Sequence, residues 1–293
     1  MKPAEFEILA AMLKRRSGLI ITPDKGYLVE SRLTPIAQKH GLRNLEALLS
    51  AVARGDEKLA SAVTEAMTTN ETSWFRDSKP FDTFRKDLLP ELVERKAAAK
   101  ALRIWSAAAS TGQEAYSLAM ILREEAARLV GWKIEIVGTD ISEAALAQAR
   151  SGIYSHFEVQ RGLPAQLLVK NFEKAEGVWR ITPSLRAMVQ FRIFNLLDNL
   201  SPLGYFDVIF CRNVLIYFDV ETKAKALEAM AGRLNPHGVI VLGGAETVLG
   251  ISDRLEPVPE RRGVYRPVAK NTTVPAGAAK TVQPATASRV VAA

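Results

Sequence analysis

Arg103-Ile-Trp-Ser-Ala-Ala-Ala-Ser-Thr-Gly-Gln-Glu-Ala-Tyr-Ser-Leu-Ala-Met120 decides the fold of this chain. Arg103-Ile-Trp105 reads as an apolar strand, Ser106 to Gly112 as a turn of small residues, and a helix opens with Glu114 and continues through Tyr116, Leu118, Met120 and Ile121. α/β proteins build nucleotide pockets from strand, tight turn and helix, because small residues let the backbone approach the ligand. Two departures from the usual pattern narrow the ligand. A G-x-G-x-x-G cradle is absent, and a carboxylate, Glu114, stands where the helix begins. A pyrophosphate would be repelled there and a cation attracted. The sulfonium and ammonium groups of S-adenosylmethionine meet that requirement, and NAD does not.

Outward from this unit, strands and helices alternate. Ile134-Glu-Ile-Val-Gly-Thr-Asp140, Val189-Gln-Phe-Arg-Ile-Phe194, Phe206-Asp-Val-Ile-Phe210 and Val239-Ile-Val-Leu242 read as strands; Ser142 caps a helix running through Ala149, and a second helix runs from Thr222 to Leu234. The alternation predicts an α/β domain over residues 101–268, a mostly parallel, doubly wound sheet with helices on both faces. Between Tyr154 and Met188 the pattern breaks, and Gly177-Val-Trp-Arg-Ile181 predicts a strand in an inserted β-subdomain of about residues 154–190, an excursion of the kind that serves recognition. Residues 1–82 show helical spacing alone: Phe6, Ile8, Leu9, Met12 and Leu13, then Leu28, Leu33 and Ile36, then Leu45, Leu48, Leu49 and Val52, punctuated by glycines. This predicts a small all-helical domain, joined to the rest by a helix from Pro80 to about Lys100. Residues 269–293, biased to Thr, Val, Pro and Ala, carry no period and predict a disordered tail.

With 293 residues, 48% of them hydrophobic, the chain can bury a substantial core. A single cysteine, Cys211, excludes a disulfide framework and suits a cytoplasmic setting; three scattered histidines without neighbouring thiols give no metal-ligand spacing. No stretch approaches the roughly 18 apolar residues of a membrane span, and no export signal is legible, so neither membrane embedding nor secretion is expected. A net charge of +7 favours acidic partners, yet the basic residues are interspersed with acidic ones, as in Arg54-Gly-Asp-Glu-Lys58, which argues against a nucleic-acid groove.

Asp140 closes its strand at the edge where open α/β sheets bind ligands, and its carboxylate suits ribose hydroxyls; the plainer role is to help start the following helix. Glu114 could likewise serve only the helix dipole. Phe206 to Phe218 begins as a buried strand and turns polar at Arg212 and Asn213, delivering Asn213 to the same edge, with Tyr217 a turn away. Cys211 lacks a histidine nearby in sequence and reads as a small buried residue, not a nucleophile. Asn195 also reaches the edge, where it could be a turn former. In Thr69-Asn-Glu-Thr-Ser-Trp-Phe-Arg-Asp77, Asn70 or Thr72 could cap a helix with Trp74 and Phe75 in the core, while Arg76 is equipped to hold a carboxylate such as that of a methionine moiety.

Five segments together resemble the CheR family of chemotaxis receptor methyltransferases: residues 70–77 (NETSWFRD), 105–114 (WSAAASTGQE), 138–142 (GTDIS), 149–154 (ARSGIY) and 210–219 (FCRNVLIYFD), in that order and spanning nearly the whole chain up to the tail. The resemblance implies a Rossmann-like class I methyltransferase sheet preceded by an all-α domain that engages the receptor. It implies S-adenosylmethionine-dependent methylation of glutamate side chains on cytoplasmic chemoreceptor helices, with S-adenosylhomocysteine as product and no metal. It also implies cofactor contacts at Asn70, Thr72, Arg76, Glu114, Asp140, Asn195, Leu196, Arg212 and Asn213. Some family members carry a longer loop in the β-subdomain that grips a receptor C-terminal pentapeptide tether; here residues 171–180 are short, so independence of the tether is expected.

A glutamate carboxylate, with an ordinary pKa of ~4.3, is already an anion at neutral pH and needs no general base. Asn213 and Tyr217 are the candidates for lining the methyl-transfer point, with a packed aromatic as the alternative for Tyr217. Arg32, Lys39 and Arg43, around the second helix, could meet an acidic receptor surface, or could be a solvated face. The working unit is expected to be a monomer. Two competing readings are a methyltransferase of the same fold acting on another signalling protein, and an adaptor that binds the cofactor without turnover.

Overall fold

The computed structural model describes residues 2–268; the expected disordered tail, residues 269–293, lies outside them. Four helices open the chain: α1 (Pro3–Ser17), α2 (Gly26–Lys39), α3 (Leu45–Ala53) and α4 (Glu57–Met67). Asn44 caps α3 through the Ala47 N–H and Asp56 caps α4 through the Leu59 N–H. Their apolar faces close on one another around Leu9, Leu13, Val29, Leu33, Leu48 and Val63, all buried. Ile8, which shares the helical spacing, is half exposed on the outer side of α1.

The core changes hands between Met67 and Trp74, ahead of residue 82. Met67 belongs to the helical cluster, whereas Trp74 and Phe81 pack with the sheet. The residues between form an irregular strap, not a capped helix, so neither Asn70 nor Thr72 is a helix cap. Trp74 sets its ring edge-on against Tyr154 at 5.0 Å and Phe172 at 5.3 Å. Helix begins only after Ser78, as α5 (Lys79–Thr83), one π turn (Phe84–Leu88) and α6 (Leu89–Arg95). It stops short of Lys100 because the chain must swing into the first strand: Lys100 takes φ +45 and its carbonyl accepts the Lys133 N–H.

From there the order is β1 (Ala101–Ala107), α7 (Gln113–Glu124), β2 (Lys133–Asp140), α8 (Glu143–Ser151), β3 (Ile153–Ser155), α9 (His156–Gln160), α10 (Ala165–Asn171), β4 (Phe172–Ala175), β5 (Val178–Ile181), α11 (Pro183–Arg186), β6 (Val189–Ile193), β7 (Phe206–Cys211), α12 (Val220–Ala231), β8 (Leu234–Leu242), β9 (Leu255–Pro257) and β10 (Val264–Pro267). The main sheet runs β6-β2-β1-β7-β8-β10-β9, parallel through β8 and antiparallel at β10 and β9. Both faces are covered, so β7 is buried along its whole length. The order reverses between β1 and β7, and such a switch point opens a crevice at the carboxyl ends of the strands.

Two boundaries differ from expectation. The helix read over 222–234 is α12, starting two residues earlier because Asp219 accepts the Thr222 N–H, and ending at Ala231, since Leu234 already pairs with Phe206 in the sheet. The β9–β10 hairpin at the sheet edge carries no strand signal in the sequence reading. The inserted subdomain is a separate three-stranded sheet, β3-β5-β4, whose β4 and β5 pair antiparallel across the two-residue turn Glu176-Gly177. Among the described residues no helix is long and apolar enough to cross a membrane.

Candidate active site

The crevice is a cleft of about 970 Å³, counting solvent at its mouth. Its floor comes from the ends of β1, β2, β6 and β7, and its cover from the end of α1 and the strap at residues 68–72. Asn70, Thr72, Arg76, Glu114, Asp140, Asn195, Leu196, Arg212, Asn213 and Tyr217 all line it, although they are scattered over some 150 positions of sequence.

Asp140 ends β2 with its carboxylate shared between two turns. Oδ2 accepts the Ser110 N–H at 2.8 Å and Oδ1 the Ser142 N–H at 2.9 Å, so Asp140 serves the plain helix-starting role while lining the cleft. Burial raises its pKa above the usual aspartate range; the N–H groups of Ser142, Ser110 and Ile141 pull the other way, and the charge of Glu65 adds to the rise. Each oxygen keeps acceptor capacity for a further donor. Glu65, on α4, takes the Ser142 hydroxyl at 3.0 Å and the Ala144 N–H at 2.8 Å, capping α8 from the other domain.

Glu114 corrects the simplest form of the cation argument. A carboxylate at this depth needs a partner, and it has one within the chain: Oε2 pairs with Arg212 Nη1 at 3.0 Å while Oε1 accepts the Ser106 hydroxyl at 2.8 Å. Burial pushes its pKa up, against the pull of Arg212 and Ser106. Arg212 Nη2 donates to the Arg76 carbonyl at 2.7 Å and to Asp77 at 2.8 Å, so one guanidinium ties the segment just after the strap to the sheet. Its Nε is buried, without a hydrogen-bond partner among the described residues. Among the described residues Arg76 commits only Nη1, to the Glu71 carbonyl at 2.9 Å.

Asn195 is more than a turn former. Its Oδ1 accepts the Leu197 N–H at 3.1 Å, and its Nδ2 donates to the Arg16 carbonyl at 2.5 Å, holding the end of α1 over the cleft. Tyr217 is half-buried, and neither its hydroxyl nor the Asn213 amide makes a side-chain hydrogen bond among the described residues. Cys211 is fully buried, and burial pushes its thiol well above the ordinary range, which suits packing and not attack.

The basic trio on the helical domain divides. Lys39 and Arg43 are exposed, but Arg32 is half-buried and commits its guanidinium within the chain, donating to the carbonyls of Met67 at 2.7 Å and Thr68 at 2.9 Å and to the Thr69 hydroxyl at 3.2 Å. As a surface cation Arg32 is therefore withdrawn; the end of α4 leaves carbonyls that need donors, and Arg32 supplies them. Sequence reading missed Glu65, Ser110 and Glu246. Only Glu246 left a local trace, a carboxylate just after the glycine pair Gly243-Gly244 that follows a strand.

Three carboxylates, Glu71, Glu114 and Asp140, and two guanidinium groups, Arg76 and Arg212, line the cleft; Glu71 is also paired with Arg161 at 2.9 Å. A mostly parallel sheet with this switch point and an acidic residue closing β2 defines a Rossmann-like architecture, here preceded by an all-α domain. Residues 4–68 match the CheR methyltransferase all-alpha domain, and residues 70–264 match the CheR methyltransferase SAM binding domain. Chemotaxis protein methyltransferase 1 of Pseudomonas aeruginosa is 40% identical over 268 residues, covering 90% of this chain and 97% of that one. Chemotaxis protein methyltransferase 1 of Vibrio cholerae is 41% identical over 264 residues, covering 89% and 95%. The chain belongs to the CheR methyltransferase family and is a methyltransferase.

Proposed function

We propose that this protein, in the cytoplasm, binds S-adenosylmethionine in the cleft and methylates glutamate side chains on the cytoplasmic helices of chemoreceptors, giving glutamate methyl esters. The observation that carries the cofactor is the match of residues 70–264 to a SAM binding domain, and a cleft lined by carboxylates without a glycine-rich phosphate cradle supports a sulfonium compound over a dinucleotide. Asp140 would hold the ribose hydroxyls. Arg76, with its remaining N–H groups, would take the methionine carboxylate. Phe194, Leu196 and Ile141 supply apolar walls of the kind an adenine needs. When bound, the cofactor supplies a methyl group on a positively charged sulfur.

The chain's own residues do the rest by geometry. The acceptor carboxylate is ionised at neutral pH, so no residue has to take a proton from it. Asn213 and Tyr217 have N–H and O–H donors to spare and can orient one carboxylate oxygen while the other attacks. Leu19, Val214 and Phe218 keep water from the approach. Orientation of this kind contributes ~7–11 kcal/mol. Lys39 and Arg43 are the cations free to meet the acidic receptor helices.

Independence of a receptor pentapeptide tether is supported by the two-residue turn between β4 and β5, which leaves no longer loop there to grip it. Calorimetric titration with such a peptide should show no binding, and micromolar affinity would refute that part. For the activity, incubation with radiolabelled cofactor and receptor-containing membranes should place base-labile label on the receptor. Label on another protein favours a different acceptor, and cofactor binding without transfer removes the enzymatic reading.

A further inference from the structure

The loop that carries Asn213 is held by a carboxylate for which the mechanism above has no use. Glu246 follows β8 in Gly243-Gly-Ala-Glu246 and is only 8% exposed. Its Oε1 accepts the N–H groups of Val214 at 3.0 Å and Leu215 at 2.8 Å; its Oε2 accepts those of Asn213 at 2.9 Å and Gly243 at 2.8 Å. A carboxylate offers about four acceptor directions, so these four donors saturate it, and Glu246 has no capacity left for ligand or proton transfer. Asn213 stands at φ +60, a left-handed conformation that residues with a side chain rarely adopt. The two loops meet at Gly243, where a Cβ would lie 3.1 Å from both the Asn213 backbone and side-chain nitrogens and 2.7 Å from Glu246 Oε2. Only glycine lets the carboxylate come this close.

We propose that Glu246 is a positioning residue for the acceptor side of the cleft. By gathering three successive N–H groups of residues 213–215 on one buried carboxylate, it holds Asn213 in the left-handed region and fixes the Asn213 amide and Tyr217 hydroxyl where the acceptor carboxylate has to stand. The inference rests on the reading of Asn213 and Tyr217 given above. It assigns Glu246 no contact with either substrate. Its loss should act on turnover, because a small misplacement of orienting groups is costly, and should leave the pocket for the methionine and ribose ends largely intact.

A double-mutant cycle on the full chain tests it: Glu246→Gln, Asn213→Gly and the pair. kcat and KM are measured on receptor membranes, and affinity for S-adenosylhomocysteine by calorimetry. Glu246→Gln should lower kcat by about 10- to 100-fold and change S-adenosylhomocysteine affinity by less than about threefold. Glycine adopts the left-handed conformation unaided, so in the Asn213→Gly background the further loss on removing Glu246 should fall well short of the single-variant loss. Full kcat in Glu246→Gln, strictly multiplicative losses, or a defect confined to cofactor affinity would each overturn the proposal. If Glu246→Gln fails to melt cooperatively, Glu246→Asp, which keeps the charge but is one methylene too short to reach all four donors, replaces it with the same expectation. A crystal structure of the glutamine variant gives a readout independent of activity: departure of Asn213 from the left-handed region supports the proposal, and retention of φ near +60 refutes it. A wild-type protein that methylates no receptor would refute the assigned reaction while leaving that structural test standing.

Discussion

Arg212 and Glu114 form a buried pair in which neither charge is tolerable alone. Arg212→Ala would leave Glu114 unpaired with its burial uncompensated, and should cost about 3–5 kcal/mol in urea unfolding of the ligand-free protein. Adding Glu114→Gln should restore a part of that, since the orphaned charge goes with it. Asp140 makes a prediction in pH. Its protonated form loses acceptor capacity for a ribose donor, and burial has raised its pKa, so S-adenosylhomocysteine affinity should hold through neutral pH and fall on acidification at a pH above the ordinary ~3.9 of an aspartate. Asp140→Asn should weaken binding by roughly 1.5–3 kcal/mol and flatten that pH dependence in calorimetry. At this scale the sequence pointed to residues that the fold brings to one cleft. Glu114, Asp140 and Arg76 stand out by type and place, whereas the partner of Glu114 lies 98 positions away and no local signal announces it.

Elements were legible where their own chemistry starts and stops them. The cap of Ser142 on α8 and the small-residue turn before α7 are local facts. The ends of α6 and α12 are not, because there a helix gives way to a strand that gains its partners only in the sheet. The strap is the extreme case: it looks like a helix start, yet its Trp74 N–H donates to the Arg161 carbonyl and its ring packs between two strands of the inserted subdomain. Gly162 makes this possible. It sits at φ +89, and a Cβ there would lie 2.2 Å from the Trp74 carbonyl oxygen, a backbone atom that cannot step aside cheaply. Gly162→Ala should therefore destabilise the protein by about 2–4 kcal/mol by thermal or urea unfolding, adding left-handed strain to overpacking, and should loosen the strap over the cleft. Strand pairing adds a pH dependence of the opposite cause to that of Asp140. Arg103, bidentate on Glu135 across β1 and β2, holds that carboxyl below its ordinary range, so its contribution is present above pH ~4.3 and is lost as acid protonates Glu135 at still lower pH.

Across the whole molecule, the helical domain is tied to the sheet domain around the cleft by several separate bonds. Lys14 pairs with Asp219 at 2.6 Å, the Ile20 N–H donates to the Tyr217 carbonyl at 2.9 Å, and Asn195 and Glu65 reach across in opposite directions. The cleft thus exists only where both domains meet. Receptor engagement and cofactor binding should be separable nonetheless, since Lys39 and Arg43 lie on the exposed side of the helical domain. Reversing both charges, Lys39→Glu with Arg43→Glu, should raise KM for receptor membranes by about tenfold, with the effect shrinking in added salt, while S-adenosylhomocysteine affinity stays unchanged. Steady-state methylation at two ionic strengths checks this. By itself the sequence determined the two-part architecture and the mostly parallel sheet, because periodicity and turn chemistry are properties of neighbours along the chain. Only the tertiary structure decided that Arg32 faces inward, that Glu114 already has a cation, and that Glu246 sits behind Asn213, because a buried charge or an idle backbone N–H takes the nearest partner in space and sequence distance does not enter that choice.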